Sequence, residues 1–422
     1  MIRKLDKPTV IPYLVGMGIG KDFVDPVVKL INRLHAYYYG DEPIWEINHF
    51  TTDEMTAENY RDKMSSVIHF VRDHGYAIKG PFEIAPELPS INVYLRKQLD
   101  LYACVRPVEY FPGAPSPMKH PENVNVTIFR ENTEDIYAGI GFLPGSDEAI
   151  KFESFLVNEL GLREKFRAKD AGFAIKFASP KATQRITKAA IDYAIKNGNK
   201  HVTIIAKHNI DKAVEAFFRT WAFEYADREY VGKVFTTSTY EAIKKLTGKE
   251  DADEALEEAK KAGKIIVDSL ITDNAFQQLL LHPERYEVLV STNMTGDYLS
   301  DFMAAQVGGL GIAPGANINY ESGVAIFEAT HGTAPDIAGM GNANPSSVLL
   351  SFEMLFDYLG LHELAEALRR GISISIANNF TTGDLYRADE GGVGPLNTAQ
   401  YCATVGEMAI HGIRGKVFFS AK

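Results

Sequence analysis

Short runs of β-branched and aliphatic residues alternate along this chain with stretches whose apolar positions recur every three or four residues. Thr9-Val10-Ile11-Pro12-Tyr13-Leu14 predicts an opening strand, and a glycine turn then leads into a helix from about Phe23. Val202-Thr203-Ile204-Ile205-Ala206, Lys264-Ile265-Ile266-Val267 and Val288-Leu289-Val290 are continuous apolar runs, the pattern of strands covered on both faces. Val348, Leu349, Phe352, Leu355, Phe356 and Leu359 follow helical spacing behind Asn344-Pro345-Ser346, which supplies the start signals. Strands and helices in alternation imply an α/β protein with at least partly parallel sheets. Long linkers, low-complexity tracts and internal repeats are missing, so the domains are expected to share a cleft and exchange chain segments.

The 422 residues, 45% of them hydrophobic, suffice for two or more domains with a large core. No run reaches the apolar length of a membrane span, and Met1-Ile2-Arg3-Lys4-Leu5-Asp6 lacks a signal-peptide core. Having only Cys104 and Cys402 argues against a disulfide framework or a cysteine-held metal, and a reducing cytoplasm is the expected compartment. A net charge of −11 disfavours nucleic acid and acidic membranes as main partners. An anionic substrate therefore needs a local basic cluster working against the overall field.

Asn293-Met294-Thr295-Gly296-Asp297-Tyr298-Leu299-Ser300-Asp301 places two carboxylates four residues apart behind a glycine. On a helix starting near Gly296 they share one face, and a hard divalent cation such as Mg²⁺ or Mn²⁺ relieves their repulsion. The alternative is an acidic first turn favoured by the helix dipole. The basic cluster comes from Arg96 in Ser90-Ile91-Asn92-Val93-Tyr94-Leu95-Arg96, Arg106 in Val105-Arg106-Pro107, and Arg130 in Ile128-Phe129-Arg130-Glu131-Asn132. Singly each is an ordinary surface arginine; converging in a cleft with Ser90 and Asn92, their forks suit a polycarboxylate. Lys207 directly follows a strand, where α/β sheets place ligand groups, and beside a metal it can titrate near neutrality. By default Tyr137 is a half-buried core tyrosine and Asp273 a helix N-cap.

Gly16-Met17-Gly18-Ile19-Gly20 falls short of the dinucleotide fingerprint because Lys21 stands where the third glycine belongs, so a Rossmann fold is not expected. A nucleotide has to use another loop. The polar run Phe327-Glu328-Ala329-Thr330-His331-Gly332-Thr333-Ala334-Pro335-Asp336-Ile337-Ala338-Gly339, ending near Asn344-Pro345, can wrap an adenosine or form a structured surface loop.

Together these motifs resemble the β-decarboxylating dehydrogenase family, the isocitrate/isopropylmalate dehydrogenases, over about residues 12–409. The resemblance rests on Val105-Arg106-Pro107-Val108-Glu109-Tyr110-Phe111-Pro112-Gly113, on Arg130-Glu131-Asn132-Thr133-Glu134-Asp135-Ile136-Tyr137, on the stretch from Asn293 to Asp301, and on His331-Gly332-Thr333-Ala334-Pro335. Ser90 and Asn92 ahead of Arg96 resemble the isocitrate-acting bacterial type rather than the sister enzymes for homoisocitrate or isopropylmalate. The resemblance implies a large α/β domain (1–101 and 310–422), a smaller α/β domain (102–134 and 180–309) and a clasp segment (135–179) gripping its counterpart in a homodimer.

It further implies that Arg96, Arg106 and Arg130 clamp the α- and β-carboxylates of isocitrate while Ser90 and Asn92 bond the γ-carboxylate. Asp297 and Asp301 are implied to hold Mg²⁺ or Mn²⁺, joined by Asp273 from the second subunit. Lys207, reaching in from that same subunit, is implied as the base for the C2 hydroxyl. Tyr137 is implied as the acid that protonates the enolate after CO₂ leaves, giving 2-oxoglutarate. The cofactor side is implied to comprise Glu328, His331, Gly332, Thr333, Ala334, Asp336, Ile337, Asn344 and Asp384.

NADP-linked bacterial members carry a Lys-Tyr pair after His-Gly-Thr-Ala-Pro, then a tyrosine and an arginine, around the 2′-phosphate. This chain has Asp336 and Ile337 at the pair and Gly383 at the later tyrosine, and only Arg387 keeps its type. An aspartate within ~4 Å of a phosphate costs several kcal/mol at an effective dielectric near 20, whereas it accepts bonds from ribose hydroxyls. NAD is therefore the expected hydride acceptor, with an NADP-linked isocitrate dehydrogenase or a homoisocitrate or isopropylmalate dehydrogenase as alternatives. A non-catalytic regulatory subunit is the alternative of a different class, and the presence of Lys207, Tyr137 and all three aspartates opposes it. The segment Phe82-Glu83-Ile84-Ala85-Pro86-Glu87-Leu88-Pro89, Met17 and His208 depart from the family's usual residues.

Overall fold

A computed structural model describes residues 8–52, 55–83, 85, 87–164, 170–391 and 393–412. Ile84 and Pro86 of the 82–89 loop, and residues 165–169 of the expected clasp, lie outside the described residues. No helix among the described residues is long and apolar enough to cross a membrane.

The β-rich runs form β1 (Val10–Leu14), β2 (Ile44–Asn48), β3 (Tyr76–Lys79), β4 (Ala103–Glu109), β5 (Asn125–Glu131), β6 (Gly141–Phe142) and β7 (Phe173–Ala174). They continue with β8 (His201–Ile205), β9 (Val234–Thr236), β10 (Ile265–Leu270), β11 (Val288–Ser291), β12 (Pro314–Asn319) and β13 (Val324–Ala329). Eleven of them make one sheet in the order β2-β1-β3-β13-β12-β4-β5-β11-β8-β10-β9, while β6 and β7 pair separately. The chain is α/β, as its alternating pattern predicts, and the sheet is mixed rather than wholly parallel. A parallel block, β2-β1-β3-β13, and another, β5-β11-β8-β10-β9, flank an antiparallel centre at β12 and β4. The β12–β13 hairpin fills the space between β3 and β4, with Ala325 opposite Tyr76 and Ala316 opposite Val105.

Side chains alternate across a strand, and that period of two sorts the sheet into an apolar face and a working face. Tyr13, Ile78, Val105, Phe129 and Phe327 join the main core, against the helices Ile19–Tyr39, Pro180–Asn197, Ser346–Tyr358, His362–Ala377 and Thr398–His411. Leu14, Ala77 and Ile326 face the other way, beneath the helices Tyr60–His74 and Ile91–Gln98. Val108 and Ile128 share that second face beneath the helices Thr272–Leu281 and Asn293–Val307. Two separate apolar clusters thus cover the second face. Lys79, Arg106, Arg130 and Glu328 each stand two residues from one of these strand residues, so the same alternation turns all four into the gap between the clusters.

The first helix starts at Ile19, four residues before the predicted Phe23, because Ile19 and Gly20 are themselves buried and continue the stripe to Phe23 and Val27. The preceding glycine turn leans on the 331–339 loop: Ile19 N–H donates to the Thr333 carbonyl at 2.9 Å. Gly18 has φ 54°, and a Cβ there would fall inside the Thr333 carbonyl. This turn therefore buttresses the neighbouring loop.

Candidate active site

The Asn293–Val307 helix begins three residues earlier than predicted, with Thr292 at its N-cap. Asp297 and Asp301 consequently lie in its second turn or beyond, past the reach of a simple first-turn dipole effect. Both face the arginine cluster. Arg130, 1% exposed, donates through Nη1 to Asp297 Oδ1 and through Nε to Asn293 Oδ1 at 2.9 Å. Tyr137 O–H donates to Asp297 Oδ2, and the Arg130 guanidinium lies 4.9 Å from the centre of the Tyr137 ring. Burial, and then the bond to Asp297, push the Tyr137 phenol up to about 12, so it stays protonated. Burial raises the Asp301 carboxyl, with the Asp297 charge adding to the effect and Arg106 opposing it.

Gly296 permits this arrangement. A Cβ at that position would stand 2.5 Å from Ser291 Oγ and 2.7 Å from Arg130 Cβ. We expect Gly296→Ala to destabilise the protein by about 1–3 kcal/mol through overpacking against Arg130. Urea unfolding checks it, and an unchanged midpoint would refute the close approach.

The three arginines do converge. Arg96, on the helix Ile91–Gln98, donates through Nη2 to Glu328 Oε1 at 3.1 Å. Arg106, on β4, donates through Nε to Cys104 Sγ at 3.4 Å. Burial, then the Arg96 charge, push the Arg130 guanidinium down from its ordinary value. Arg96 Nε and Arg130 Nη2, both donors, are buried without a hydrogen-bond partner among the described residues. Buried polar atoms left open around one cleft suit a polyanionic ligand.

Ser90 is the N-cap of the Ile91–Gln98 helix, accepting from Val93 N at 3.4 Å while staying exposed to solvent. The sequence reading missed Lys79. This residue ends β3 and is 3% exposed, with Nζ 2.7 Å from Glu328 Oε2. The strand-end rule that picked out Lys207 would have found it too. Burial and the charges of Arg96 and Arg106 lower its ammonium, against the pull of Glu328. Burial alone would raise the Glu328 carboxyl, but Lys79, Arg96 and Arg106 outweigh that and hold it well below the usual carboxylate range. Glu328, expected on the cofactor side, therefore sits at the arginine cluster.

Lys207 and Asp273 form a second grouping: Lys207 Nζ donates to Asp273 Oδ1, with both side chains at least a third exposed. Asp273 lies one residue inside the helix Thr272–Leu281, whose N-cap is Ile271, so the default N-cap reading of Asp273 does not hold. Among the described residues no three His, Cys, Asp or Glu side chains of this one chain cluster to hold a metal. The Asp297–Asp301 face supplies hard oxygen donors of the kind Mg²⁺ or Mn²⁺ takes.

The expected cofactor loop flanks the cleft. Thr333, 7% exposed, donates through Oγ1 to Glu83 Oε2 at 2.5 Å, tying the loop to the 82–89 segment. Gly332 is exposed, and Ala334 adopts φ 42° ahead of Pro335. His331, its ring edge against Phe23 and its pKa lowered by burial, keeps Nε2 without a partner among the described residues. Asn344 Nδ2 donates to Asp384 Oδ2 at 2.9 Å. Asp336 and Ile337 are exposed. Arg387, by contrast, is committed to the protein itself: its guanidinium bonds the carbonyls of Gly113, Ile376 and Ala377 and pairs with Glu390 at 2.8 Å.

Residues 10–407 match the family described as isocitrate/isopropylmalate dehydrogenase. The isocitrate dehydrogenase [NADP] of Streptococcus mutans is 43% identical over 400 residues, covering 94% of each chain. That of Staphylococcus epidermidis is 42% identical over 385 residues, 90% of this chain and 91% of its own. Among solved structures, the isocitrate dehydrogenase of Methylococcus capsulatus aligns with a TM-score of 0.72 at 29% identity, covering 95% of this chain and 99% of its own. The NADP named for these relatives overturns the NAD preference read from Asp336, Ile337 and Gly383. The physical reason lies in exposure: an aspartate in water at ~4 Å from a phosphate costs only about 1 kcal/mol, and salt screens it further. The match over 10–407 and the identities over nine-tenths of the length place the chain in the isocitrate/isopropylmalate dehydrogenase family.

Proposed function

We propose that the chain catalyses the oxidative decarboxylation of isocitrate to 2-oxoglutarate and CO₂ with NADP as hydride acceptor. The observation that carries the substrate is the convergence of Arg96, Arg106 and Arg130, with unpartnered donors on Arg96 and Arg130, beside the Asp297–Asp301 face. NADP is supported by the names of relatives at 43% and 42% identity. In this reading the arginines bind the α- and β-carboxylates, Ser90 and Asn92 the γ-carboxylate, and Asp297 and Asp301 a divalent metal. A bound metal supplies Lewis acidity to the C2 hydroxyl and NADP takes the hydride; the chain's own groups do the rest. Lys207 accepts the hydroxyl proton. Once CO₂ has left, Tyr137, which its raised pKa keeps protonated until then, delivers its proton to carbon. The loop residues His331, Gly332, Thr333, Ala334, Asp336 and Ile337, with Asn344 and Asp384, hold the adenosine end.

The working unit in this reading is a homodimer in which Asp273 and Lys207 enter the partner's cleft, since among the described residues Asp273 joins no metal-binding cluster with Asp297 and Asp301 in one chain. Exposed Leu280, Leu281 and Tyr298 on the Thr272–Leu281 and Asn293–Val307 helices offer apolar surface for that contact. So do exposed Ile140, Leu143, Ile150 and Phe155 in the 135–179 clasp. The domain division is assigned to the two parallel blocks, with the boundary between β12 and β4.

Initial rates with Mg²⁺ or Mn²⁺ test the function. We expect isocitrate to be turned over, homoisocitrate and isopropylmalate to be poor substrates, and kcat/KM with NADP to exceed that with NAD by at least about tenfold. Turnover of isopropylmalate alone would remove the Ser90 and Asn92 assignment, and equal rates with both cofactors would remove the NADP assignment.

A further inference from the structure

The carboxylate of Glu215 is 1% exposed at the start of the helix Glu215–Glu229, and it belongs to none of the groups described so far. Its Oε2 accepts from the backbone N–H of Lys207 at 3.2 Å. Its Oε1 accepts from Thr292 Oγ1 at 3.0 Å and from Lys176 Nζ. Thr292 is the residue at the N-cap of the Asn293–Val307 helix, yet its hydroxyl makes no capping bond there; it turns to Glu215 instead. One buried carboxylate therefore ties the strand end carrying Lys207 to the helix carrying Asp297 and Asp301.

The connection continues through Lys176, whose Nζ lies 3.7 Å from Asp135 Oδ1. Asp135, 2% exposed, is held at φ 66°, a conformation that disfavours a side chain with Cβ. Its Oδ2 accepts from Met294 N at 3.0 Å and its Oδ1 from Ile136 N at 2.7 Å. Tyr137 follows directly. Burial alone would lower the Lys176 ammonium, but Glu215 and Asp135 reverse that and keep it charged, so the chain of contacts stays ionic and strong.

We propose that Glu215 is a positioning residue that couples the two active sites of the dimer through a single chain. This rests on the proposed reading in which Lys207 serves the partner's cleft while Tyr137, Asp297 and Asp301 serve their own. Glu215 then holds the base of one site and, through Thr292, Lys176 and Asp135, the metal helix and the proton donor of the other. A geometry change at either site reaches the second along contacts within one subunit.

Mixed dimers, made from two differently tagged chains, test it. Combining Lys207→Met in one chain with Tyr137→Phe in the other leaves one intact site, so activity well above that of either variant homodimer is expected. No recovery would overturn the shared-site reading and the coupling together. With recovery in hand, Glu215→Gln is added to one chain or to the other. We expect kcat at the intact site to fall roughly tenfold or more from either position. Beside Lys207→Met it should also raise the KM for Mn²⁺, because Thr292 of that chain heads the helix carrying Asp297 and Asp301 of the intact site.

An effect from one chain only, or from neither, would overturn the coupling while leaving the shared site standing. Thr292→Val and Lys176→Met repeat the test should Glu215→Gln fail to fold. Lys176→Arg should restore most of the activity lost in Lys176→Met, because the ion pair rather than the packing is what the coupling needs. Failure of that rescue, with folding intact, would count against the Lys176 link and the route through Asp135.

Discussion

Asp297→Asn should lower kcat/KM for isocitrate by at least about 10³-fold, roughly 4 kcal/mol of transition-state stabilisation, while leaving the fold intact. The size follows from how much converges on one carboxylate. Asp297 takes Arg130 on Oδ1 and Tyr137 on Oδ2, and it is the better enclosed of the two carboxylates assigned to the metal. An asparagine keeps one acceptor for Arg130 and loses the charge that binds a hard cation. It also frees Tyr137 from the bond that contributes to its raised pKa. Steady-state kinetics across a range of Mn²⁺ concentrations, alongside circular dichroism, decides the matter. A loss confined to the KM for Mn²⁺ and cured by excess metal would show that Asp297 only binds the ion. A loss of less than about tenfold would place the metal elsewhere.

Glu328→Gln should destabilise the folded protein by about 3–5 kcal/mol, the usual cost of removing one member of a buried ionic group. Glu328 is 4% exposed and bonds Lys79 at 2.7 Å, Arg96 at 3.1 Å and Asn317 at 2.7 Å. A glutamine of the same shape keeps hydrogen bonds but leaves Lys79, Arg96 and Arg106 without their nearest negative charge. Urea unfolding without added anions measures the loss. Adding a tricarboxylate such as citrate should recover more stability in the variant than in the parent, because the ligand then supplies the missing charge. A stability loss below about 1 kcal/mol would mean the cations find solvent when Glu328 is neutralised, and that the cluster is less enclosed than its geometry shows.

Much of this was legible in the sequence where a local rule sufficed. Strands β8, β10 and β11 are short and carry runs of consecutive apolar residues, and those runs revealed them. The helix Ser346–Tyr358 begins where Asn344-Pro345-Ser346 says it should. The arginines, Asp297, Asp301 and Tyr137 could be grouped because family motifs carry them. What the sequence hid depends on partners far along the chain. The Asn293–Val307 helix starts before Gly296, and the hydroxyl of its N-cap Thr292 bonds Glu215, 77 residues away, instead of capping it, a contact no local pattern shows. Glu215 itself looks like any acidic residue in a first helical turn. Glu328 reads as part of a cofactor loop until the register of β13 sets it against Lys79. Arg387 keeps the family's residue type but bonds backbone carbonyls, so type alone misjudges its work.

The position of the β12–β13 hairpin also bears on how the chain is made. β3 and β4 each present an unsatisfied edge to the same gap, and the hairpin that closes it is synthesised late. Val324 leaves the ribosome roughly 245 residues after Lys79, a delay of roughly 10–50 s at ordinary rates of translation. Throughout that interval the first three strands are a parallel sheet with an open, apolar side, the kind of edge that recruits strands from neighbouring chains. Nascent chains truncated before Pro314 are thus the species in which aggregation should begin, and the ones a chaperone would need to meet.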